Sequence, residues 1–233
     1  MTVDSARLLI VGMGGLGCPA SLALARAGAE RMTVIDPDAV DLTNLHRQPW
    51  FRTSDVGKPK AVVAAARLRA AFPRLEVEPL VGKVDLGNVQ KLIKDHDIAL
   101  DCTDQIDAKF LISDAVAPTR VPVIYGGVVR LEGQVMALLP GGPCLRCLFE
   151  QPPAAEDIPS CSRSGILGSV AGVIGALQAV TAVRVLNGEQ LAGEMVVFDG
   201  RGLRQRQIRV RRRPDCLCTQ AKSLPKEVGT CPA

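Results

Sequence analysis

Gly12, Gly14 and Gly17 spell G-x-G-x-x-G directly after the apolar run Arg7 to Val11 and at the head of a helical pattern. Without a Cβ the backbone at such a turn can approach a phosphate or ribose closely, and the N–H groups opening the next helix face negative charge. Asp36, nineteen residues past Gly17 at the close of the next apolar run, is spaced to accept hydrogen bonds from ribose hydroxyls. These features serve NAD(H) and ATP equally. No G-x-x-x-x-G-K-[ST] is present, and Gly57-Lys58-Pro59 is not a phosphate loop, so a triphosphate must find its cations elsewhere. Asn44-Leu45-His46-Arg47-Gln48 and Lys60 supply them. Arg47 can grip phosphate oxygens with paired N–H groups, Lys60 can act as a point charge near the start of its helix, and Asn44 can hold a ribose or phosphate oxygen. Together they can stabilise charge developing on an α-phosphate, although singly Arg47 and Lys60 also read as solvated cations and His46 as structural. Asp101-Cys102-Thr103-Asp104 closes a predicted parallel strand, the edge where open α/β sheets bind ligands. Asp104 can there reach a magnesium ion, or cap the following helix.

The eight cysteines carry a second chemistry. The N-terminal MTVDSARLLIVG holds Asp4 and only a short apolar run, too little for a secretory leader, so a cytoplasmic chain with reduced thiols is expected. Cys144-Leu145-Arg146-Cys147 has the spacing of a zinc knuckle, and Cys216 with Cys218 can complete a tetrahedral four-thiolate site. Cys231 is an alternative ligand, and four reduced thiols without zinc are the alternative reading. Cys161, just before a glycine-rich helical run, is a candidate reactive thiol, because a helix N-terminus depresses a thiol pKa; a loop cysteine without chemistry is its plainer reading. Cys18 and Cys102 fall within core patterns.

The elements that must position these groups read as a βαβ start: strand 7–11, helix 18–27, strand 32–35. An irregular polar stretch, 37–57, follows, and long loops inside compact chains tend to be functional. Then come helix 58–72, strand 75–81, helix 86–94, strand 98–102, helix 107–116, and strands 121–125 and 133–139. After a Pro-, Gly- and Cys-rich segment, a nineteen-residue uncharged run, 165–183, is long enough to span a membrane, but its glycines, Gln178 and Thr181 suit a buried core helix. A hairpin, 195–199 with 203–210, ends the pattern. The fold class implied is α/β: a Rossmann-like mixed sheet with a parallel N-terminal half, an antiparallel C-terminal part and helices on both faces. One domain, 1–218, with a tail, 219–233, is expected. Apolar residues at 47% leave enough to bury a core, which excludes disorder for most of the chain, and aromatics at 3% argue against a base-stacking RNA platform. The net charge of +4 is mild. The arginine-rich run 201–213 reads as a solvated strand with Ile208 and Val210 facing inward, or as a positive surface for a partner; nucleic acid is not expected.

GMGGLG, Asp36-Pro37-Asp38-x-Val40, NLHRQ (44–48), GKPK (57–60) and DCTD (101–104), followed by Cys-x-x-Cys and the AGVIGALQA helix, together resemble the ThiF/MoeB/HesA family over residues 7–218. The resemblance implies adenylation, with MgATP and release of pyrophosphate, of the C-terminal glycine carboxylate of a small ubiquitin-like sulfur-carrier protein ending in Gly-Gly. It implies that Gly15, Asp36, Asn44, Arg47, Lys60 and Asp104 contact nucleotide or magnesium, that Cys161 can bond to sulfur or carrier, and that the protein is a homodimer. The family's second knuckle is Cys-x-x-Cys, whereas Cys216-Leu217-Cys218 is one residue shorter. Gln105 stands where the family commonly has Asn. Only six residues precede Arg7, where the family carries an arginine that reaches the partner subunit's ATP site; either that arginine is lost, another cation such as Arg52 substitutes, or the true start lies upstream. An attacking carboxylate is already ionised at neutral pH and needs no general base, in keeping with only two histidines. Other readings of the same motifs are adenylation of a peptide, a dinucleotide-dependent oxidoreductase and a non-catalytic carrier-binding scaffold.

Overall fold

The computed structural model describes residues 1–149, 152, 167–216 and 218. Its strands are β1 (Arg7–Val11), β2 (Arg31–Asp36), β3 (Glu76–Val81), β4 (Ile98–Asp101), β5 (Val123–Val129), β6 (Glu132–Leu138), β7 (Glu194–Asp199) and β8 (Arg204–Arg209). The helices are α1 (Gly17–Arg26), α2 (Lys60–Ala71), α3 (Val89–Lys94), α4 (Ile106–Asp114), α5 (Val116–Thr119), α6 (Leu145–Leu148) and α7 (Gly168–Leu186). They form one sheet of order β3-β2-β1-β4-β5-β6-β7-β8. The first five strands in that order pair in parallel, and β6, β7 and β8 are antiparallel. This is the mixed sheet expected from the alternation of patterns.

The central parallel strands β1 and β4 are nearly continuous apolar runs because helices cover both of their faces. On one face Leu8, Ile10, Met32 and Val34 pack with α1, α2 and α7; on the other Leu9, Val11, Ala99 and Val123 pack with α3, α4 and α5. Strand order reverses between β1 and β4, and the carboxyl ends of these strands open there into a crevice, the place where doubly wound sheets bind ligands.

α7 has the length and mean hydropathy (1.7) of a membrane span, yet it lies on α1, β5 and β6 with Val170, Ile174, Gln178 and Ala182 buried. Gly175 lets it approach: a Cβ there would stand 2.5 Å from the Leu16 carbonyl oxygen. Gln178, at the centre of the buried face, donates to the carbonyls of Asp101 (2.8 Å) and Ile124 (3.0 Å), tying β4 to β5. The helix packs into the core as expected, on one face. Val173 and Val180 on its outer face are 38% and 55% exposed, since nothing else among the described residues covers that side.

Element limits differ from the sequence reading by at most four residues, the largest difference being the end of β5 at Val129 rather than 125. The stretch 37–57 is not featureless; it holds two short 3₁₀ turns, Leu42–Arg47 and Thr53–Asp55. The inward Ile208 needs correction. All six residues of β8 are exposed, Ile208 at 43%, because β8 is an edge strand whose partner β7 is only half covered. Alternation along a strand assigns faces, but burial requires a second layer, and none among the described residues lies over this edge.

Candidate nucleotide site and cysteine cluster

Gly12 leaves the end of β1 at φ +94°, and a Cβ there would stand 2.8 Å from the Cys102 carbonyl oxygen. Only glycine fits both the turn and the contact. The loop is held from β2, since the Asp36 carboxylate accepts from the Met13 N–H (2.6 Å) and, through its other oxygen, from the Asp38 N–H (2.8 Å). Burial raises the pKa of Asp36, against the opposing pull of the Asp38 N–H and of Lys60. Lys60, the first residue of α2, is itself buried and donates to an Asp38 carboxylate oxygen at 2.7 Å, while its N–H bonds to the Asp38 carbonyl at 2.9 Å. Asp38 therefore fixes both ends of the lysine that the sequence reading left as a free point charge.

The 3₁₀ turn Leu42–Arg47 carries the second cation. Arg47 donates to the Asn44 side-chain oxygen at 2.5 Å and stands 3.4 Å from the His46 ring nitrogen. Asn44 and His46 thus brace the guanidinium. Gln48 is buried, and its side-chain oxygen has no hydrogen-bond partner among the described residues. An acceptor of that kind beside an open cavity is satisfied by a ligand donor or by water.

Asp36, Asp38, Asn44, Arg47, Gln48 and Lys60 line one cavity of about 520 Å³, together with Gly12, Gly14, Gly15, Thr103, Asp104 and Gln105, whereas His46 does not. The cavity runs on past Lys109, Tyr125, Gly127, Gln134 and Val197, along the carboxyl half of β5 and over the antiparallel strands. All of the sequence-predicted nucleotide residues except Gly17 line it; Gly17 begins α1 behind the loop. Arg52 is exposed on its loop and lines no part of this cavity. Sequence reasoning missed Asp38, Lys109, Tyr125 and Gln134. Asp38 carried a signal, lying two residues beyond Asp36. The single lysine of α4 carried one too, a cation just inside a helix that starts at the ligand-binding edge.

The cysteine pairs also converge. The four sulfurs of Cys144, Cys147, Cys216 and Cys218 lie within 4.8 Å of one another, with Cys144 to Cys216 at 3.4 Å, Cys147 to Cys218 at 3.7 Å and Cys144 to Cys147 at 4.0 Å. The shortened pair therefore delivers both of its thiols to the cluster. Hydrogen bonding from Cys144 lowers the pKa of the Cys218 thiol, while burial raises that of Cys216. Arg146, inside the first pair, is buried against Phe110 and bonds to Asp114 of α4 through contacts of 2.8 to 3.1 Å. Cys18 and Cys102 are buried as expected, and burial drives the Cys18 thiol up to about 12, leaving it inert. Cys161 and Cys231 lie outside the described residues.

Comparison with known proteins was decisive for the family. The ThiF family pattern matches residues 2–219. The chain is 38% identical over 231 residues to "Adenylyltransferase and sulfurtransferase MOCS3" of Anopheles gambiae, covering 97% of this chain but 52% of that protein, so it spans about half of its length. It is 37% identical over 219 residues to the "Sulfur carrier protein adenylyltransferase" of Thermus thermophilus, covering 91% of this chain and 81% of the relative. Among solved structures, E. coli MccB with ATP superposes with a TM-score of 0.80 at 22% identity, covering 94% of this chain and 68% of that one, a likeness of fold. With a family match over nearly its whole length, the chain belongs to the ThiF family.

Proposed function

We propose that this chain uses ATP to adenylate the C-terminal glycine carboxylate of a small ubiquitin-like sulfur-carrier protein ending in Gly-Gly, releasing pyrophosphate. The step prepares sulfur transfer in thiamine, molybdopterin or related cofactor biosynthesis. The observation that carries the reading is the convergence of Asp36, Arg47, Lys60 and Asp104 on one cavity at the reversal of strand order. The names borne by the Anopheles and Thermus relatives support the substrate class.

The reaction joins two anions, a carboxylate and an α-phosphate, so it depends on fixed positive charge and on orientation. Arg47 and Lys60 reach the cavity already braced by Asn44 and Asp38, and lose little freedom when phosphate binds. Asp36 and the glycine loop would take the ribose and the phosphate backbone. The carboxylate oxygen bonds to the α-phosphorus as the bond to the leaving pyrophosphate breaks, and no proton has to move. Asp104, exposed at the rim of the cavity, would hold magnesium, which neutralises phosphate charge when bound. The all-thiolate cluster fits zinc, which Cys144, Cys147, Cys216 and Cys218 would hold as a closed structural staple. The cavity's extension over β5 and β6 leaves a channel for an extended Gly-Gly tail. The bare arginines of β8 either face the carrier beside that channel or stand in solvent. The exposed valines of α7 are the apolar face that a homodimer would cover.

Carrier-dependent exchange of labelled pyrophosphate into ATP tests the reading. Exchange should appear with a Gly-Gly-ended carrier, need magnesium, and fall by about 100- to 1,000-fold in Lys60→Ala and Asp104→Ala. ATP binding without exchange for any carrier, with exchange for a short peptide, would transfer the activity to a peptide acceptor. Thiocarboxylate formation unchanged in Cys161→Ala would remove that thiol from the sulfur step.

A further inference from the structure

Lys109 lines the cavity between the turn at Thr103–Asp104 and the carboxyl half of β5. It rises from α4, its side chain only 11% exposed, and its ammonium lies 2.6 Å from the Gly126 carbonyl oxygen and 3.3 and 3.4 Å from the two carboxylate oxygens of Asp101. It also sits 5.0 Å over the ring of Tyr125. Asp101, itself buried, accepts in turn from the Thr103 N–H (3.0 Å) and hydroxyl (2.7 Å), which shapes the turn that presents Asp104. On the other side, the ladder between β4 and β5 ends at the pair Asp101 and Tyr125, so β5 runs on toward Gly127 with no strand among the described residues along that edge. Lys109 takes the first carbonyl beyond the ladder. One ammonium thus bonds to the base of the Thr103–Asp104 turn and to the backbone leading into Gly127, and Thr103, Asp104 and Gly127 all line the cavity.

We propose that Lys109 is a positioning residue for acyl transfer to the nucleotide: it holds the turn that presents Asp104 and the backbone of Gly126–Gly127 at a set separation, so that phosphate and carboxylate meet in reacting geometry. The inference rests on the adenylation reading given above. Its physical basis is that two anions gain reactivity from being held in line and at contact distance, and a shift of about 1 Å in one wall against the other costs about 100-fold in rate. The main nucleotide contacts, Asp36, Arg47 and Lys60, are anchored independently of Lys109, so the loss should fall on kcat and spare ATP affinity.

The test compares the parent protein with Lys109→Met, Lys109→Arg and the double variant D101N/K109M. Lys109→Met alone leaves a buried carboxylate uncompensated and can fail to fold, whereas the double variant removes both charges together. The measurements are calorimetric binding of MgATP, the melting temperature, and carrier-dependent adenylate formation at saturating substrates. We expect the double variant to fold and bind MgATP within about threefold of the parent, to lose about 100-fold in kcat, and Lys109→Arg to recover most of that loss. A folded double variant with unchanged kcat, or one whose whole loss lies in ATP affinity, overturns the proposal. Failure of the adenylation reading is distinguishable, because then the parent itself would bind ATP and form no adenylate with any acceptor, and both inferences would fall.

Discussion

At the nucleotide end, the charged groups deepest in the cavity find partners within the chain: Asp36 with two backbone N–H groups, Lys60 with Asp38, Lys109 with Asp101 and a carbonyl. In the cysteine cluster, sulfur faces sulfur at 3.4 to 4.0 Å, and the Arg213 N–H reaches the Cys147 sulfur at 3.5 Å. In the first region the buried charges are paired within the chain, whereas the Gln48 side-chain oxygen is left for a donor from outside the described residues. The second gathers four thiols, a donor set that suits a soft cation such as zinc. The difference teaches that one chain can pair its buried charges internally in one place and in another bring together like donors that a metal ion would join. α4 joins them, carrying Lys109 near one end and Asp114, the partner of Arg146, at the other.

The largest expected effect strikes at this contrast. On the zinc reading, stripping the metal with a chelator, or Cys147→Ala, should lower the melting temperature by about 10 °C, since about 1 kcal/mol moves a chain of this size by 2–4 °C and a structural metal is worth several. Calorimetry paired with metal analysis checks it. A metal-free protein melting unchanged would break the comparison. Gly12→Ala comes next. Its Cβ meets the Cys102 carbonyl and its φ suits glycine, so about 1–3 kcal/mol of strain is expected, with a loss of ATP affinity of at least about tenfold in titration calorimetry.

A third test uses pH. Asp36 has its pKa raised by burial, so the stability linked to it is fully present below the ordinary carboxylate range and is lost as pH rises through its own raised value. Melting curves should therefore show the parent losing ground to Asp36→Asn as pH rises through that window. ATP affinity should run the other way, because the ionised carboxylate is the better acceptor for ribose hydroxyls. Opposite slopes would show the cavity keeping a charge for binding at some expense to folding. The smallest effect belongs to a reference pair at the amino ends of the central strands, away from the cavity. The hydrogen bond from Arg7 holds Asp97 below the ordinary carboxylate value, so its contribution is present above that value and is lost as pH falls through the lowered one. Asp97→Asn should cost at most about 1 kcal/mol, given the exposure of Arg7.

What the sequence by itself determined is whatever local spacing decides. The glycine turn and Asp36 are consecutive features of a βαβ unit, and a turn that only glycine can make leaves little freedom in placing them. NLHRQ and Lys60 were legible as a cationic cluster, and the alternation of apolar runs was enough for a parallel sheet with antiparallel strands after it. The partners of those residues were not legible. That Lys109 faces Asp101 depends on how α4 leaves β4; that it meets Gly126 depends on the register of β5 against β4; that Gln178 spans the same two strands depends on how closely α7 can pack. The convergence of Cys216 and Cys218 on Cys144 and Cys147 likewise joins segments about seventy residues apart, and a missing residue in the spacing could be judged only once the chain had brought them together. Ile208 marks the same limit from the other side, since alternation chose its face but only the layers of the folded chain decided that the face stays in water. Local chemistry follows from neighbours along the chain, whereas the depth and partnering of a group are set by elements distant in sequence, and those only the tertiary structure brings into contact.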